Sequence, residues 1–256
     1  MYKGAVFVAI ACLCLVFLAA PASALPLADV DIGARYWSVS PSGDLSYKGD
    51  SLDLEDNLDF EREGAPHAYA RAHLPMLVLE AHYTRLDFSG KGQNITTSTR
   101  FGRIDLNNYT DISTEATMDM LHGGAMLNFS VPWVDLGVGA GVNYIDAEAE
   151  IMAKANNRKK TATGSAEAPL PVVKARAEIT PPLVGLHLAV AGEGLSYSGN
   201  SFYDLRGTVG YTFQDLFIVD LRLEGGYRHI AVDYDEEDLV LDSSFSGPFA
   251  GLSLAF

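Results

Sequence analysis

The closing stretch Gly247-Pro248-Phe249-Ala250-Gly251-Leu252-Ser253-Leu254-Ala255-Phe256 decides how this chain reads. Pro248, Ala250, Leu252, Leu254 and Phe256 fall on one side of an extended chain. Gly247, Phe249, Gly251, Ser253 and Ala255 fall on the other. The first side is wholly apolar; the second is mostly small, with Phe249 as its exception. A strand with lipid outside has this pattern, and so does the last strand of a soluble sandwich. The remainder of the sequence decides between them.

Residues 1–24 read as a cleaved signal peptide. Lys3 is the positive n-region, Ala5 to Ala20 is a continuous apolar core, and Ala22-Ser23-Ala24 is a small-x-small cleavage site. The apolar run is too short for a membrane-spanning helix. Cys12 and Cys14, the chain's two cysteines, leave with it. A mature domain over residues 25–256 then has no disulfide, thiolate metal site or cysteine nucleophile. Its formal charge is one unit more negative than the −15 of the whole chain, which argues against a nucleic-acid partner. No later segment has the apolar run of a spanning helix. A membrane barrel has the same outward look, because only alternate residues face lipid.

Ten alternating segments follow the signal: Val30–Trp37, His67–Leu74, one from Leu77, Met118–Phe129, Val134–Ile145, Val172–Ile179, Val184–Tyr197, Tyr203–Phe213, Phe217–Tyr234 and the closing strand. Apolar phase changes near Arg85 and His229 predict bulges there. Leu74-Pro75-Met76, Ser130-Val131-Pro132-Trp133, Thr180-Pro181-Pro182-Leu183 and Gln214-Asp215-Leu216 are tight connections. Longer polar links cover about 39–66, 89–116 and 154–170, with shorter ones near Ser198–Ser201 and over 235–240. Short turns at one end and long loops at the other predict a ten-stranded antiparallel transmembrane β-barrel, with periplasmic turns and extracellular loops. The apolar outside and polar inside are the reverse of a lipocalin-type barrel.

The ending Phe245 to Phe256, with Gly225-Gly226-Tyr227-Arg228 and His122-Gly123-Gly124-Ala125, resembles a family of small bacterial outer-membrane barrels marked by paired glycines. The resemblance implies a fold and an outer-membrane location, and carries no activity. It also implies that Phe256, Leu254 and Leu252 serve as a signal read by the barrel-assembly machinery. The sequence departs from the ten-stranded omptin proteases, for it lacks their acidic pair and His-Asp arrangement at the loop ends.

By alternation the inward face carries Arg35, Arg71, Glu80, Lys174, Arg176, Glu178, Glu193, Asp204, Arg206, Asp220, Arg222, Glu224 and Arg228, with Asp31 and Asp135. Opposite charges in so narrow a lumen predict a salt-bridged plug. The alternative is a thin ion or small-solute path lined by arginines. Glycines in the fifth segment suggest local room and tolerance of a small polar side chain at Gly139. On the plug reading Arg222 has a carboxylate partner, and Glu224→Gln leaves assembly intact.

His73 and His82 lie on strands joined by a tight turn, where Glu80 would complete a metal site; satisfied lumen histidines are the simpler reading. His229 with Asp233 would make a base and its orienter, but no nucleophile is fixed beside them. The expectation is therefore a non-enzymatic, monomeric barrel without metal or cofactor, in contact with outer-membrane lipids and lipopolysaccharide. Arg158-Lys159-Lys160 is the stretch for the lipopolysaccharide phosphates. Asp53-Leu54-Glu55-Asp56-Asn57 lies in an acidic loop that lacks the spacing of a calcium-binding loop.

Overall fold

A computed structural model describes residues 29–47, 51–55, 57–92, 100–101, 104–105, 111–155, 158–182, 185–197, 200–213, 219–236 and 239–256. The proposed signal peptide lies outside the described residues. Ten long strands form one antiparallel sheet: β1 (Asp29–Tyr47), β2 (Glu63–His73), β3 (Leu77–Gly92), β4 (Asp111–Val131), β5 (Val134–Ala155), β6 (Arg158–Ile179), β7 (Leu186–Tyr197), β8 (Asn200–Phe213), β9 (Asp220–Glu236) and β10 (Leu239–Ala255). Each pairs with its neighbours in sequence, and β10 pairs with β1, so the sheet closes on itself. The described residues contain no helix. Short extended pieces at Ser51–Asp53, Arg100–Phe101 and Ile104–Asp105 accompany the barrel strands.

Alternation decides which side chains face outward. Val138, Val142, Leu188, Val190, Leu205, Val209, Leu223 and Leu252 are exposed, as a lipid-facing belt requires. Aromatic residues flank that belt. Phe129, Trp133, Phe213 and Phe256 lie exposed near the turn end, and Tyr36, Tyr144, Tyr203 and Tyr227 nearer the loop end. Phe213 and Tyr203 are ten residues apart on β8. At about 3.3 Å per residue and a tilt of about 40°, they stand roughly 25 Å apart in height, the thickness of an outer-membrane apolar band.

The two predicted bulges are absent. The β3–β4 register runs unbroken from Leu77↔Leu127 to Gly92↔Ile112, and β9–β10 from Asp220↔Ala255 to Glu236↔Leu239. What changes is the lumen. On β3 the inward face reads Val78, Glu80, His82 and Thr84, then Leu86 and Phe88, all of them buried. The loop-end part of the lumen is apolar, and an apolar inward residue there imitates a change of phase.

The link predicted over 154–170 is also strand. The β5–β6 register continues from Val134↔Ile179 to Ala155↔Arg158, so this hairpin rises far beyond the upper tyrosines. Beyond the apolar belt an outward face has no reason to be apolar, and Asp146, Glu148 and Glu150 share the outward side of β5. β4 and β3 likewise reach into the links expected at 89–116, and β1 runs on to Tyr47.

Candidate functional site

Three layers fill the lumen. At the turn end is an open vestibule of about 940 Å³, walled by Asp31, His73, Arg176, Glu178, His187 and Arg222 among others. Above it lies a layer of buried charges. At the loop end an apolar cluster gathers Trp37, Val39, Leu86, Phe88, Ile151, Phe202, Ile230 and Phe245. The segment after β1 completes that cluster by turning Leu54, Leu58 and Phe60 inward. The Asp53 and Asn57 side chains shape the turn. Asn57 Oδ1 accepts from the Asp53 amide at 2.9 Å, and Asp53 Oδ1 accepts from the Glu55 amide at 2.8 Å. Sequence reasoning took this stretch for a solvated acidic loop; Leu54 and Leu58, four residues apart, were the missed signal.

All thirteen predicted lumen charges lie on the inward side. Nine are buried, Arg176, Glu178 and Arg222 are half-buried along the vestibule, and Asp220 is exposed at its mouth. The structure sorts seven of the nine into three groups, and leaves Arg71 and Arg206 beside them. In the first, the Lys174 ammonium pairs with Glu80 and, at 2.7 Å, with Glu193. Lys174 Nζ also donates to His122 Nε2 at 2.6 Å, which leaves His122 Nδ1 to donate to Asn143 Oδ1 at 2.8 Å. Asn143 Nδ2 in turn donates to Glu193 at 2.8 Å, and His82 meets Glu80 at 3.1 Å. In the second, Glu224 accepts from Arg35 at 2.7 Å, Tyr69 at 2.8 Å and Ser253 at 3.2 Å. In the third, Arg228 holds Asp204 with Nε at 3.1 Å and Nη2 at 2.7 Å, donates to Thr84 at 2.9 Å and lies 4.9 Å over the Trp37 ring. Charge-assisted bonds of this kind are the strong ones in a low-dielectric interior. Tyr69, Asn143, Thr84 and Ser253 were missed as partners, although alternation already placed them inward.

Glycines make this packing fit. A Cβ on Gly141 would lie 2.5 Å from the His122 ring, and one on Gly226 would lie 2.0 Å from the Gly207 carbonyl oxygen and 2.6 Å from the Phe249 ring. The room expected along β5 is therefore taken. At Gly139 a Cβ would come within 2.1 Å of the Ala125 carbonyl oxygen, so the tolerance expected there does not exist. In each glycine pair the inward member, Gly124 or Gly226, is the crowded one; Gly123 has open space and Gly225 only an ordinary contact at 3.6 Å.

The geometry bears on four further readings. His73 stands opposite Val78 and bonds Asp31 at 3.1 Å, while His82 stands opposite Tyr69, so these histidines do not form a metal site. Glu80, His122 and Glu193 do converge, their ligand atoms within 4.8 Å of one another, but the Lys174 ammonium contacts all three and supplies the positive charge. Arg222 has a Thr212 contact at 3.4 Å and no carboxylate in ion-pair range among the described residues, so Arg222→Ser strands no partner. Glu224 accepts from three side chains, so Glu224→Gln is not a mild change. His229 and Asp233 lie four residues apart on the outward side of β9, roughly 13 Å at strand rise, beyond hydrogen-bond reach.

The architecture compares with solved structures as follows. Outer membrane protease OmpT from Escherichia coli superposes with a TM-score of 0.57 at 10% identity, over 89% of this chain and 97% of that one. The fold is that of a bacterial outer-membrane barrel. The attachment invasion locus protein Ail of Yersinia pestis matches at a TM-score of 0.39 and 8% identity, over 90% of this chain and 99% of its own. Neisserial surface protein A matches at 0.32 and 12%, over 90% and 97%. No family model and no curated protein matches this sequence.

Proposed function

We propose that this chain is a monomeric, non-enzymatic outer-membrane barrel with a closed lumen, acting through the surface its loop end presents. The observation that carries this reading is the double seal above the vestibule. Within the charged layer the open spaces are about 20 Å³ and about 10 Å³, each no more than room for a single water. The apolar cluster then lies between that layer and the loop end. Together the two layers oppose the passage of a hydrated ion. The aromatic and aliphatic belts support placement in the outer membrane, with the turns in the periplasm. Phe256 would then serve the assembly machinery. β6 begins at Arg158, so Arg158-Lys159-Lys160 belong to the loop end, where basic residues would meet lipopolysaccharide phosphates. The separation of His229 and Asp233 supports the non-enzymatic reading.

Planar-bilayer recording tests the seal. Purified barrel should insert and remain silent. A steady single-channel conductance would overturn the closed lumen and favour a narrow solute channel.

A further inference from the structure

Five arginines converge on the space of about 20 Å³ just above the vestibule: Arg35, Arg71, Arg176, Arg206 and Arg222. Two carboxylates, Glu178 and Glu224, share its lining. Both are already engaged, Glu178 by Arg176 and Glu224 by Arg35. Arg71 reaches Glu80 only at 3.5 Å, and Lys174 and His82 hold that same carboxylate. Arg206 is 7% exposed. Its contact among the described residues is the His67 ring at 3.4 Å, with no carboxylate in ion-pair range. Arg35 Nη1 is buried without a hydrogen-bond partner among the described residues, whereas Arg71 Nε, also without a hydrogen bond, faces Glu80. Buried guanidinium groups left with unpaired donors and surplus charge are costly, and a bound anion relieves both deficits at once.

We propose that this arginine-lined space binds one small inorganic anion of chloride's size. Its volume suits a monatomic ion or one water. A water would satisfy donors but leave the charge uncompensated. Entry is from the vestibule, which shares Arg176, Glu178, His187 and Arg222 with the site. The site holds its anion whether or not the lumen conducts, so bilayer recording and anion binding test separate claims.

Urea unfolding of the refolded barrel in detergent micelles, followed by tryptophan fluorescence, reads the site. Sodium chloride is compared with sodium gluconate at equal ionic strength, because gluconate is too large to enter. The unfolding midpoint should rise with chloride and saturate, and Arg206→Gln should lose that chloride-specific rise. Equal wild-type midpoints in the two salts would overturn the proposal, as would Arg206→Gln keeping the full rise. Wild-type crystals grown in bromide give a reading that needs no variant. An anomalous peak in hydrogen-bonding reach of the Arg206 guanidinium supports the site, and its absence there refutes it.

Discussion

Lys174→Met isolates the charge that holds the first lumen group together. The methionine keeps most of the buried stem and removes the ammonium. Glu80 and Glu193 keep their contacts to His82 and Asn143, at 3.1 and 2.8 Å, but lose the cation between them. Their ligand oxygens lie within 4.8 Å of each other. At an effective dielectric constant of about 20, two unit charges at that distance repel by roughly 3.5 kcal/mol. Breaking a buried pair costs about 3–5 kcal/mol by a separate route, the desolvated charge left behind. The two figures describe the same loss and are not summed. Urea unfolding in micelles should therefore show Lys174→Met destabilised by about 3–5 kcal/mol. Adding Glu80→Gln and Glu193→Gln removes the stranded charges and should restore more than half of the loss. A single-variant loss below about 1 kcal/mol, the range of an exposed pair, would refute the ammonium's role as the centre of this group. So would a triple variant no more stable than the single one.

Val209→Arg places a charge near the middle of the exposed belt and should cost about 2–4 kcal/mol, while Leu221→Arg near the turn end costs less; refolding yield and urea midpoints give the order. Gly226→Val should drive its side chain against the Gly207 carbonyl oxygen and the Phe249 ring, lowering the unfolding free energy by about 1–3 kcal/mol as overpacking does. Deletion of Phe256 should reduce folded barrel in the outer membrane, seen as loss of the heat-modifiable band on gels. It also removes the two backbone bonds to Val30, at 3.0 and 3.2 Å, that finish the seam between the chain's ends.

The strands and their faces were legible because lipid outside and charge inside give opposite chemistry at alternate positions. That is why Tyr203, Leu205 and Val209 were placed outward and Asp204 and Arg206 inward from sequence alone. The rule failed wherever one of its two conditions lapsed. Leu86 and Ile230 lie inward in an apolar part of the lumen, so they read as a slip of register. Asp146, Glu148 and Glu150 point outward above the lipid belt, so their strand read as running out. The sorting of charges into groups was not legible, because partners such as Arg35 and Glu224 are 189 residues apart. Which carboxylate Lys174 meets depends on strand stagger, which alternation does not report. The burial of Leu54 and Leu58 was hidden by the acidic residues around them, one of which, Asp53, bonds within the turn itself.

The ladder between β6 and β7 stops at Val173↔Gly194, although β6 continues to Arg158. Continuing that register would set Pro171 opposite Ser196, and neither Pro171 nor Pro169 has an amide hydrogen to give. Both prolines keep their places opposite β5, so their nitrogens face the side on which, among the described residues, β7 makes no ladder pair. An open strand edge above a membrane packed with like molecules is a template on which neighbours can add strands and aggregate. Here the edge begins with two positions that cannot donate, a common safeguard of edge strands. Crowding this barrel in a bilayer should therefore leave it as separate molecules, and replacing both prolines with valine would give that edge the donors for strand addition.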